Sequence, residues 1–122
     1  MPTLHTFRVE AVVEHAYSVR MVDAERAEAL LIALADKVGP GQTAYDPQVA
    51  RMEPPEGGLS ASCLFPGGHA ILHTYEAAGR LPPRYLLDVT ATDPIDGQAV
   101  LEVVERRLGI PAASLSTRAT AW

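Results

Sequence analysis

Two apolar runs of strand length, residues 58–65 and His69–Tyr75, are separated only by the break Pro66-Gly67-Gly68. A connection this short joins neighbouring strands only if they run antiparallel, because a parallel pair needs a crossover of a dozen or more residues. The stretch Gly57–Glu76 therefore predicts a hairpin with two histidines on its second strand. Short turns punctuate the rest of the chain in the same way. Leu4–His15 alternates imperfectly and is rich in Val, which predicts a strand. Residues 43–53 predict another, joined to the hairpin by Pro54-Pro55-Glu56-Gly57-Gly58. Tyr85–Ala91 follows the loop Gly79-Arg80-Leu81-Pro82-Pro83, and residues 113–121 form a weaker last strand.

Two segments carry the helical period instead. Ala27, Leu30, Leu31, Leu34 and Val38 recur at three- and four-residue steps, the mark of one buried helical face. Asp23 is placed to cap that helix near Ala24, and Gly39-Pro40-Gly41 to end it. The second helix carries Ala99, Val100, Val103, Val104 and Leu108 and stops at Gly109. Asp93-Pro94 reads as its N-cap followed by proline at the first helical position. The predicted order is β-α-β-β followed by β-β-α-β. Two helices with one apolar face each cover one side of a sheet. The expected fold is thus α/β in the α+β sense, a two-layer sandwich of a mainly antiparallel sheet with two helices on one face. At 122 residues the chain is expected to be one domain, 1–122.

Composition excludes several functions. The chain carries a net charge of −5, and its arginines are dispersed. Nucleic-acid binding is not expected, since phosphate contacts need clustered Lys and Arg. No apolar run approaches the roughly 20 residues that span a bilayer, so no membrane association is expected. No signal peptide is expected either, because no basic region precedes an apolar one. Cys63 is the single cysteine, so an intrachain disulfide is impossible and a cytoplasmic setting is expected.

Candidate chemistry centres on His69 and His73. Their i, i+4 spacing would suit a metal on a helix, but this segment reads as strand. Four strand residues span roughly 13 Å, so one ion does not join both, and no metal site is expected. The two rings do share a face, with Ile71 between them. Ser60, Ser62 and Cys63 are possible nucleophiles, yet Gly58-Leu59-Ser60-Ala61-Ser62 is not a nucleophile elbow. Gly67-Gly68 lacks the further glycines and the lysine of a phosphate loop. Glu53, Glu56 and Glu76 lie at strand ends or in loops.

From Gly58 to Thr74 the chain resembles the bacterial and archaeal S-adenosylmethionine decarboxylase family. The likeness is carried by Gly58-Leu59-Ser60, the apolar strand after it, the turn, His69, and then His73-Thr74-Tyr75. The predicted element order is also that family's. The resemblance implies the same two-layer fold, a homodimer with sites at its interface, and a place in polyamine biosynthesis. Members of the family cut their own chain at a Glu-Ser bond just before the first histidine. The serine becomes a pyruvoyl group, the electron sink for decarboxylation.

Aligned on His69, those two positions are Gly67 and Gly68 here. Glycine has no side-chain oxygen to attack the preceding carbonyl, so no pyruvoyl cofactor is expected. Ser60 corresponds to the family's processing serine, His73 to its processing histidine, and His69 to the histidine after the cleavage site. Tyr75 stands for a Trp, Glu76 for a shifted Pro-Glu, and Thr92 near the family's catalytic Cys. A threonine hydroxyl is a far poorer proton donor than a thiol at neutral pH. The resemblance thus nominates His73, Ser60 and His69 as catalytic and Tyr75, Glu76 and Thr92 as substrate-binding. It implies a scaffold without self-cleavage, repurposed to bind or transform a small molecule such as a nucleoside or amino-acid-like metabolite. Any reaction would be lyase-like and not pyruvoyl-dependent. The alternatives are a non-catalytic regulatory partner of an active decarboxylase, or an active decarboxylase cut elsewhere, before Ser60, Ser62 or Cys63.

Overall fold

A computed structural model describes residues 4–12, 23–38, 45–51, 58–75, 82–111 and 114–122. The central hairpin is β3 (Leu59–Phe65) and β4 (Gly68–Tyr75), closed by a turn at Pro66-Gly67. Around it the chain adds β1 (His5–Val12), α1 (Ala24–Val38), β2 (Gln48–Arg51), β5 (Arg84–Ala91), α2 (Gly97–Leu108) and β6 (Ser116–Ala121). The six strands form one sheet in the order β2-β3-β4-β5-β1-β6, and every neighbouring pair is antiparallel. The predicted two-layer sandwich is the observed one.

Strand alternation sorts the side chains. Leu59, Ala61, Cys63 and Phe65 of β3 and Ala70, Leu72 and Thr74 of β4 are buried, as are Tyr85, Leu87, Val89 and Ala91 of β5. These face the helices, with Ala27, Leu30, Leu31, Leu34 and Ala35 of α1 and Val100, Val103, Val104 and Leu108 of α2. The intervening residues point to the opposite face of the sheet, which no described element covers. Thr74 is the one buried polar residue among those described, and its Oγ1 accepts a hydrogen bond from the Leu59 N–H at 2.9 Å.

The helix starts differ in how far local signals decide them. Asp23 caps α1 as expected, its Oδ1 accepting from the Arg26 N–H at 2.8 Å. For α2 the cap is Asp96 and not Asp93. The Asp96 carboxylate accepts from the N–H groups of Gln98 and Ala99, and the helix begins at Gly97. The reason is tertiary. Ile95 packs against the core, and a Cβ on Gly97 would come within 2.4 Å of the Phe7 ring. The first turn passes so close to the Phe7 ring that a side chain at 97 would require that ring to shift. The predicted loops at 39–41, 54–57 and 79–81 lie outside the described residues.

Candidate functional site

The register of three strands assembles a row of polar side chains on the uncovered face. Ser60 on β3 pairs with His73 on β4, and Tyr75, two residues on, pairs with Arg84 on β5. Each pair meets as cross-strand neighbours do. Ser60 Oγ lies 2.8 Å from His73 Nδ1. The His73 and Tyr75 rings stack, with centroids 6.4 Å apart and an interplanar angle of 29°. The Arg84 guanidinium sits over the Tyr75 ring, its Cζ 5.2 Å from the centroid, in cation–π contact. Ser60, His73 and Tyr75 are half-buried by their neighbours, and Arg84 is exposed. Contacts therefore run unbroken from a hydroxyl to a guanidinium across three strands.

This arrangement has defined chemical capacity. When the Ser60 hydroxyl donates to Nδ1, the imidazole can take its proton, which is the pairing an activated serine needs. Nε2 of His73 then carries the other hydrogen and can donate to a bound group. Among the described residues no carboxylate bonds His73, so the orienting third member of a triad is not supplied there. A cavity of about 450 Å³ adjoins the row, lined by Glu10, Val12, Tyr75, Arg84 and Leu86 among others.

The remaining nominated residues lie elsewhere. His69 is on the same face but pairs with Leu64 and Thr90, two rungs from His73. Thr92 follows β5 at the opposite end from Leu86, the residue beside His73. Six strand residues separate them, roughly 20 Å. Thr92 instead donates its backbone N–H to the Gly67 carbonyl at 2.9 Å. Glu76 lies outside the described residues, as do Glu53 and Glu56. No group of three or more His, Cys, Asp or Glu among the described residues could hold a metal ion. Arg84 and Glu10 are not singled out by sequence, because only the β4–β5 and β1–β5 registers bring them to this row.

The glycine turn does not fit a pyruvoyl group. Gly67 has φ +87°, where a side chain is strained, and a Cβ on it would meet Thr92 Oγ1 at 2.9 Å. A Cβ on Gly68 would stand 2.0 Å from the Thr90 carbonyl oxygen, which belongs to β5 backbone. The serine from which such a group forms is thus missing, and the space for it is filled by the adjacent strand. Ser60, Ser62 and Cys63 are interior to β3, and the first two are paired with β2 and β4 on either side. Cys63 is fully buried, and that burial pushes its thiol pKa up, which disfavours the nucleophilic thiolate.

No protein-family model matches this chain, and no curated protein matches it significantly. No helix among the described residues is long and apolar enough to cross a membrane.

Proposed function

We propose that this chain is an S-adenosylmethionine decarboxylase-like scaffold, without self-cleavage or a pyruvoyl cofactor, that binds or transforms a small molecule at Ser60 and His73. The 2.8 Å contact between those two side chains carries the reading. They are the residues that the resemblance nominates as a processing pair, and Tyr75, whose ring stacks on His73, lines a cavity large enough for a metabolite. The crowding at Gly68 supports the loss of cleavage, because a serine there would displace β5. In this reading the ligand is a nucleoside or an amino-acid-like compound, and the chain is a cytoplasmic homodimer.

Intact mass and ligand screening test it together. The expected mass is that of the unbroken chain, with no adduct from a carbonyl reagent. S-adenosylmethionine, related nucleosides and amino acids are then screened by thermal shift, with His73→Ala expected to abolish any stabilisation. A cleaved chain, or ligands that stabilise His73→Ala as well as the native protein, would overturn the proposal. Sedimentation equilibrium reads the dimer separately.

A further inference from the structure

The cavity beside Tyr75 contains two opposite charges that leave each other alone. On the uncovered face Glu10 pairs with Leu86, and Val12 with Arg84. Glu10 and Arg84 are therefore diagonal neighbours on β1 and β5, about 7–8 Å apart and within mutual reach of long side chains. Both line the cavity of about 450 Å³. Yet the one ion pair among the described residues is Arg8 with Asp88, one rung away, at 2.8 Å. On its other side Glu10 shares a recess of about 100 Å³ with Arg8 and with Arg118 of β6, but neither forms an ion pair with it, and the Arg8 guanidinium bonds both carboxylate oxygens of Asp88. Arg84 is instead held over the face of Tyr75. A ring face takes none of the guanidinium's N–H donors, so its fork stays available for a planar carboxylate.

We infer that this cavity recognises a free α-amino acid, with the ligand carboxylate on Arg84 and its ammonium on Glu10. An α-amino acid carries both charges about one carbon, so two diagonal side chains of opposite sign can grip it at once. The side chain of the ligand then lies along Tyr75, whose ring stacks on His73, with Leu86 beside it. This inference rests on the reading of this face as a ligand site, and it adds which chemical class fits it.

The test compares three probes on the full chain by titration calorimetry, with His73 ring signals followed by NMR. L-phenylalanine has both charges, 3-phenylpropionate lacks the ammonium, and phenethylamine lacks the carboxylate. L-phenylalanine is expected to bind at least about tenfold tighter than either analogue, the value of one charge-assisted hydrogen bond. Glu10→Gln should erase its advantage over 3-phenylpropionate, and Arg84→Gln its advantage over phenethylamine. Equal binding of all three probes would overturn the zwitterion while leaving a small-molecule site in place. An absence of binding and of His73 shifts with every probe and every nucleoside would overturn both. The three-probe comparison on the native chain decides the matter even if a variant fails to fold.

Discussion

At the scale of single residues, the turn at Gly67-Gly68 shows most directly how one position can be closed to chemistry. Its glycines could be read as a loss of catalytic groups and nothing more. The Cβ clash at Gly68 adds a positive reason, since β5 backbone occupies the space that a side chain needs. Gly68→Ser is therefore expected to destabilise the fold by about 2–3 kcal/mol through overpacking, measured by urea denaturation. Combined with Gly67→Glu, it should leave the chain uncut on prolonged incubation. A variant as stable as the native chain would show that β5 yields, and a cleaved double variant would show that processing machinery survives. Ser60 and His73 are the opposite case, because sequence pairs them only through a resemblance, whereas the register makes them neighbours.

Among the elements, α1 was the most legible. Its apolar stripe at Ala27, Leu30, Leu31 and Leu34 repeats at the helical period, and the same residues are buried in the fold. Ala35 joins that face but is too small to weigh in the pattern. For α2 the stripe was equally clear, but the start was not. Asp93-Pro94 and Asp96-Gly97 are both chemically sound openings three residues apart, and the helix uses the second, where glycine lets the first turn lie against the Phe7 ring. Asp96→Ala should cost about 1 kcal/mol, the usual value of a lost N-cap. Asp93→Ala should change the urea midpoint little, since Asp93 is exposed and caps nothing among the described residues. The reverse ranking would restore Asp93 as the helix start.

For the molecule as a whole, helices cover one face of the sheet, and among the described residues the other face carries polar, half-buried and exposed side chains. Adjacent positions on one strand should therefore differ sharply. Leu72→Ala, on the helix side and fully buried, is expected to cost about 2–5 kcal/mol. Ile71→Ala, half-buried on the other face, should cost about 1 kcal/mol or less. Thermal or urea midpoints for the two variants check this, and equal losses would mean that the second face is packed as firmly as the first. Periodicity and turn chemistry determined the element order, the antiparallel pairing of short-linked strands and the faces that bury, because these depend on residues a few positions apart. Only the tertiary structure decided that Arg84 stands over Tyr75, that Glu10 shares their cavity, that Thr92 serves the glycine turn far from His73, and that Gly68 has no room for a serine. Each of these depends on register between strands distant in sequence, which local patterns do not encode. The residues of the central hairpin, Leu59–Tyr75, thus announced a strand pair and two histidines, while their partners across the sheet determined what those histidines can touch.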